Sequence, residues 1–262
     1  SSPLFKPIAA ALADTIAANS AERTNARQTF VLDDAGFLPE DIDFDTATKR
    51  LFLASVQRGG IFVSSASGAL KPFAFSPDHW PVFALKVDSR RRRLWATEVA
   101  LSGFKSVPRK DWGKSALLEY DLDKGTLLAR IEGPEHSALG DMALNHDGEP
   151  IVSDGEGGGV YQLVKGSLHR LDRGDFISPQ TPAQCPGSDM LFIPDYARGI
   201  GAMDPRTGRI EWFVSGGRHA LAGIDGLYCR GQTLFAVQNG TTPQRVIAFH
   251  LNDTLTQITV ET

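Results

Sequence analysis

The period of apolar and polar positions changes once along the chain. From Pro3 to about Asn19, Leu4, Ile8, Ala11-Leu12 and Ile16 recur at helical spacing and alanine fills much of the remainder, which predicts a short helix lying against the main body. After it, short runs rich in β-branched and aromatic residues alternate with Gly, Asp, Asn and Pro turns, and no second long helical pattern follows. The runs repeat. Ile42-Asp43-Phe44-Asp45 leads to Arg50–Ala54, Gly60–Val63 and Lys71–Phe75. The second copy is Leu85–Asp88, Arg93–Ala96, Leu117–Asp121 and Leu128–Ile131. The third is Met142–Asn145, Pro150–Asp154, Val160–Leu163 and Leu168–Leu171. A fourth begins near Ser178, with Asp189–Ile193 and Gly199–Asp204, and a fifth holds Ile224–Cys229, Thr233–Val237 and Val246–Phe249.

Each copy places four strands in roughly 40–50 residues, the period of a propeller blade. A lone four-stranded sheet leaves apolar faces in water, whereas radial stacking covers them and leaves only short edges. A β-sandwich would not predict the repetition. Thr29-Phe30-Val31-Leu32 reads as an orphan strand of the kind that closes a ring by joining the last blade. The expectation is therefore all-β: a six-bladed β-propeller with five blades complete, the sixth truncated near Thr262, and a short N-terminal helix. Closure with five blades is the alternative. Residues 1–26 form the helical appendage and 27–262 the propeller. The opening Ser1-Ser2, without Met, implies that a leader was removed.

Composition narrows the function classes. A 42% hydrophobic and 22% charged chain of 262 residues with net charge −4 is that of a soluble globular protein with no nucleic-acid footprint. The run Arg90-Arg91-Arg92-Arg93 lies between two strand-like runs and reads as a solvated turn rather than a phosphate contact. No stretch approaches the ~18 apolar residues of a membrane span. Two cysteines, Cys185 and Cys229, make no disulfide framework, so periplasmic, secreted and cytoplasmic locations all stay open.

With the blades in register, the residues opening each innermost strand can be compared. They are Pro39-Glu40-Asp41-Ile42 in the first blade, Gly140-Asp141-Met142 in the third, Ser178-Pro179-Gln180-Thr181 in the fourth and Gly223-Ile224-Asp225-Gly226 in the fifth. Together with Phe176–Gln180, Pro194–Gly199 and Ala236–Gly240, this pattern resembles the senescence marker protein-30/gluconolactonase superfamily, and through Glu40-Asp41 also the paraoxonases. The resemblance spans about Phe37 to Phe249. It implies a six-bladed propeller that hydrolyses lactones or related esters with a divalent metal on its axis, held by a Glu, two Asn and an Asp. Glu40 and Asp225 match. Gly140 stands where the third-blade Asn belongs and Gln180 where the fourth-blade Asn does.

The first ring position reads Glu40, Phe83, Gly140, Gln180, Asp225. Two carboxylates and an amide oxygen are the hard donors that calcium prefers, with magnesium or manganese as alternatives. No His or Cys joins them, which argues against zinc. Open positions would admit water and a small-molecule substrate. One residue further down, Asp41 and Asp141 are candidates for a second ion site; the bland reading is that they bond backbone amides. His136 and His219 sit in loops of the type that surrounds the opening and are candidate general bases. Asp154, Asp195 and Asn239 end second strands and are candidates for the pocket lining, or simply start turns. Gly155–Gly159 precedes no helix and reads as a blade turn, not a phosphate loop. The long segment Ser102–Ser115 is a candidate wall or lid. The leading expectation is a metal-dependent hydrolase of a lactone or small ester. A non-catalytic binding propeller with a structural ion, and a metal-independent enzyme resembling strictosidine synthase, are the rivals. The sequence carries no handle on oligomeric state.

Overall fold

A computed structural model describes residues 6–21, 24, 26–65, 67–215 and 220–261. Among these residues one α-helix, α1 (Lys6–Ser20), precedes five four-stranded antiparallel sheets, each a simple meander. Blade one is β1 (Pro39–Asp45), β2 (Arg50–Ser55), β3 (Gly60–Ser64) and β4 (Leu70–Phe75). Blade two is β5 (Val82–Asp88), β6 (Arg93–Val99), β7 (Ser115–Asp121) and β8 (Leu127–Glu132). Blade three is β9 (Leu139–Leu144), β10 (Pro150–Asp154), β11 (Gly159–Val164) and β12 (Ser167–Arg170). Blade four is β13 (Ala183–Gln184), β14 (Leu191–Asp195), β15 (Gly199–Met203) and β16 (Ile210–Trp212). Blade five is β17 (Ile224–Arg230), β18 (Thr233–Gln238), β19 (Arg245–Leu251) and β20 (Ile258–Glu261). The chain is thus a propeller of five blades, which corrects the expected six. Thr29–Leu32 does not act as a closing strand: it lies outside any sheet, and Leu32 packs with Phe37, Leu53 and Phe62 on the flank of blade one.

The inner strands of successive blades are joined by side chains. β1 carries aspartate at every second position, and alternate residues of a strand share one face. Asp41 accepts the Leu85 amide at 2.9 Å, Asp43 accepts the Val87 amide at 2.7 Å, and Asp45 accepts the Ser89 hydroxyl at 2.8 Å. Each partner lies 44 residues further on, so one blade repeat sets the register of all three bonds. Asp41 and Asp43 thereby satisfy amides along the inner edge of β5 that no strand pairs, and Asp45 holds the residue just past its end. The fourth blade has the shortest inner strand because Pro179 and Pro182 lack the amide a ladder needs; only an isolated bridge joins Pro179 to Asp195 before Ala183.

Apolar clusters fill the spaces between blades. Phe52, Ile61, Leu85, Leu94 and Leu118 pack between the first and second, and Phe192, Ile224, Leu227, Leu234 and Phe249 between the fourth and fifth. Full burial of each such side chain contributes about 1.5–3 kcal/mol. Other apolar residues stay in water. Ile42 and Phe44 of β1 and Tyr228, Phe235, Val237 and Val246 of blade five are exposed. So are Ile8, Leu12 and Ile16, and the apolar stripe of α1 faces solvent rather than the sheets. No helix among the described residues is long and apolar enough to cross a membrane. In the arginine run, Arg91 pairs with Asp88, Arg92 with Asp45 and Asp123, and Arg93 with Glu119, so the turn is tied to the blades by ion pairs.

The two cysteines pair. Cys185, just after β13, is fully buried and bonded to Cys229 on β17, with the Cα atoms 5.1 Å apart, so the inner regions of blades four and five are covalently linked. The bridge closes a segment with a sequence separation of 44. By the chain-entropy argument a loop of this size is worth up to about 4 kcal/mol. Reduction, or Cys185→Ser with Cys229→Ser, is expected to lower the unfolding free energy by about 2–4 kcal/mol in urea titrations with and without reductant.

Candidate functional site

The first ring converges as its register requires. A cavity of about 290 Å³ opens where the inner strands meet, and every blade contributes to its wall. Glu40 and Asp41 come from β1, Phe83 from β5, and Gly140 and Asp141 from β9. Gln180 and Thr181 come from the extended segment before β13, and Asp225 and Gly226 from β17. Leu101, at the start of the long segment of blade two, reaches the cavity. The rest of that segment is anchored away from it: Val107 and Phe104 pack on Trp80 and Ala100, and Trp112 is exposed.

At the mouth, Glu40 and Asp225 face one another's field. Desolvation at the rim raises the pKa of Glu40, and the charges of Asp225 and Asp41 raise it further. Burial also raises Asp225, with Asp41 adding to the effect and the Asn239 hydrogen bond opposing it. Asn239 donates through Nδ2 to Asp225 Oδ2 at 2.8 Å and accepts the Tyr196 hydroxyl through Oδ1 at 3.1 Å. Its orientation is thereby fixed from both ends, and Asp225 is held by one oxygen. Gln180 turns its Nε2 back to Ser178, at 3.0 Å from the hydroxyl and 3.2 Å from the carbonyl. No hydrogen bond engages its Oε1 among the described residues.

The deeper ring is built differently. Lys86, from β5, places its ammonium 2.8 Å from Asp41 Oδ2 and 2.8 Å from its neighbour's carbonyl, Leu85 O. Burial opposes the charge, yet Asp41, Tyr228 and Asp43 together hold the Lys86 pKa above the ordinary lysine range. Asp43 is raised by burial, with Lys86 and two backbone amides pulling the other way. Asp141 Oδ1 lies 2.5 Å from Thr181 Oγ1, which is also 3.1 Å from the Asp225 carbonyl. The Thr181 hydroxyl is the donor in both contacts and shares its hydrogen between Asp141 and the Asp225 carbonyl. Burial pushes Asp141 up to about 7; the Thr181 bond opposes this, and the charges of Asp225 and Asp41 add to it.

The other sequence candidates separate from the pocket. Asp154 is buried, and its Oδ1 accepts the amides of Ala138, Glu156 and Gly157, so Gly155–Gly159 is the blade turn its composition suggests. Asp195 is likewise buried under the amides of Ile177, Ser178, Ala197 and Arg198. Both follow the turn-starting reading. His136 is exposed and does not line the cavity; His219 lies outside the described residues. Asn239 supports Asp225 from behind. Sequence reasoning missed Lys86, Tyr196 and Tyr228. A readable signal existed for one of them: Lys86 interrupts the apolar run Val82–Val87, and lysine inside a strand is seldom buried without a partner.

Among the described residues no three His, Cys, Asp or Glu side chains are grouped to hold a metal ion. The hard-oxygen side chains that line the upper cavity, and that could hold one, are the carboxylates of Glu40 and Asp225 and the amide of Gln180. A cation among them would offset the burial that chiefly raises both carboxyl groups, and the neighbouring negative charge that adds to it.

No protein-family model matches the chain, and no curated protein matches it. Solved structures do. A streptogramin B lyase superimposes with a TM-score of 0.65 and 16% identity, over 88% of this chain and 70% of that one. A virginiamycin B lyase from Staphylococcus aureus gives 0.58 and 14%, over 84% and 72%. A chain of a nidogen/laminin complex gives 0.64 and 15%, over 86% and 80%. At such identities the likeness concerns the fold, and the fold is a β-propeller.

Asp141 makes the site's electrostatics measurable. An unfolded aspartate titrates near 3.8 and this one near 7, so between those values the folded chain keeps a proton the unfolded chain releases. Stability contributed by this group therefore falls as pH rises through that window, by up to about 1.4 kcal/mol per pH unit. In chelator, the urea midpoint of the wild type is expected to drop from about pH 5 to about pH 7, and Asp141→Asn to flatten that slope.

Proposed function

We propose that the axial pocket binds one divalent cation, calcium before magnesium or manganese, through Glu40, Gln180 and Asp225, and hydrolyses a lactone or similar small ester. The observation that carries this reading is the pair Glu40 and Asp225, both with raised pKa at the mouth of the cavity and neither paired with a basic side chain among the described residues. Lys86 does not neutralise them, because its hydrogen bonds go to Asp41 and to the Leu85 carbonyl. The resemblance of the Glu40 and Asp225 positions to those of gluconolactonases supports the same chemistry.

A divalent cation supplies polarisation of a carbonyl and a bound water of lowered pKa. The protein's own part is positioning and exclusion. Asn239 and Tyr196 hold Asp225 by Oδ2 and leave Oδ1 available, and Ser178 holds Gln180 by its amide nitrogen with the oxygen uncommitted. Phe83, Leu101 and Val237 give the cavity an apolar wall suited to the hydrocarbon part of an ester. Proton transfer is assigned to Asp141, which lines the cavity and whose carboxyl is raised by burial.

Metal analysis and calorimetry of the pure protein, followed by a lactone and ester panel with and without chelator, test the reading. One ion per chain is expected, with chelator-sensitive turnover. Glu40→Gln is expected to weaken binding at least tenfold, about 1.4 kcal/mol, and to lose turnover at limiting calcium. A wild type that binds no divalent ion and turns over no ester would falsify it; retention of a small molecule without turnover would mark a binding propeller instead.

A further inference from the structure

We infer that Lys86 is a built-in cation for the lower half of the axis: its ammonium stands among Asp41, Asp43 and Tyr228 where a second ion would otherwise sit, and limits the pocket to one exchangeable cation. The limit of one rests on the proposed upper site; the role of Lys86 does not.

The oxygens around the ammonium are already committed. Asp41 Oδ2 accepts both the Lys86 ammonium at 2.8 Å and the Leu85 amide at 2.9 Å, and Oδ1 accepts the Ile42 amide at 2.8 Å. Asp43 accepts the Val87 amide at 2.7 Å and the Phe44 amide at 2.8 Å. Asp141 shares Oδ1 with Thr181. A carboxylate offers about four lone-pair sites, so with the Lys86 ammonium in place Asp41 has little left for an incoming ion, and removal of the ammonium frees Oδ2. The upper ring contrasts with this, because Asp225 is held by a single oxygen and Gln180 by its nitrogen.

The ammonium is held as firmly as its acceptors. Two of its three hydrogens have oxygen acceptors, and the centre of the Tyr228 ring is 5.8 Å away, within the range at which a cation is attracted to an aromatic face. The Lys86 side chain retains 12% of its exposure and that of Asp41 18%, so solvent screens the pair little. Asp41 and Asp43 also bond the edge of blade two, and Lys86 brings a positive charge to them from that same edge, β5, without a soluble ion.

The test compares Lys86→Met with Lys86→Met/Asp41→Asn. In chelator, Lys86→Met is expected to melt on the order of 10 °C below the wild type, because a buried acid loses its partner. Millimolar calcium is expected to restore most of that loss, with one more calcium bound per chain than in the wild type. The double variant is expected to melt closer to the wild type in chelator and to bind no additional ion. The inference is overturned if Lys86→Met melts like the wild type, or if its loss is neither recovered by calcium nor reduced in the double variant. Should Lys86→Met not fold, folding of the double variant supports the inference and its failure overturns it. A wild type without any bound ion removes the proposed upper site, while calcium rescue of Lys86→Met still reports on the lower one.

Discussion

The bond that organises this protein is the one Asp41 makes across a blade boundary. Its carboxylate reaches from the inner edge of blade one to the Leu85 amide of blade two, and the adjacent Lys86 ammonium closes on the same oxygen. Antiparallel meanders stacked around an axis leave the inner edge of each innermost strand without a pairing strand. In blades one and two aspartates take that part, at Asp41, Asp43 and Asp45. Negative charge gathered at the axis is therefore a result of how the blades are joined before it is a feature of any site.

That construction explains what could be read in the sequence. Strand alternation and blade spacing are local patterns, so the five repeats and the ring of Glu40, Gln180 and Asp225 were legible from register alone. Blade number was not, because it depends on what a leftover segment does. Thr29–Leu32 has the composition of a strand, yet Leu32 is drawn onto the apolar flank formed by Phe37, Leu53 and Phe62. The pairing of Cys185 with Cys229 was equally out of reach, since two cysteines a blade apart meet only if the inner regions of neighbouring blades face one another.

Side-chain direction at the strand ends was the other limit. Ser55, Glu98, Asp154, Asp195 and Gln238 occupy similar places near the ends of their second strands, and all are buried. Each meets a different local need: Ser55 caps the Arg58 amide, Glu98 binds Ser76 and Arg130, and Gln238 donates to the carbonyls of Ala220 and Ala222. A polar residue ending a strand beside an opening reads the same in sequence whether it faces the opening or the turn behind it. Asp154 and Asp195 face the turn, where several backbone amides donate to each carboxylate and these charge-assisted bonds together replace its lost hydration.

The same accounting separates the two rings on the axis. In the lower ring the oxygens are saturated by fixed donors, and the charge they carry is balanced by a lysine that cannot leave. In the upper ring the supporting bonds come from behind, through Asn239 and Ser178, and leave oxygen atoms uncommitted at the mouth. A protein needing only mechanical closure could have satisfied both rings in the first way. Saturation below and uncommitted oxygens above give a charge-balanced floor under an open mouth. On the proposed function the deep carboxylates need not rearrange for a cation, whose affinity would be set by Glu40 and Asp225 against a background of charge that Lys86 has already reduced. Removing that lysine would therefore alter the mouth through the field, even though it touches neither ligand.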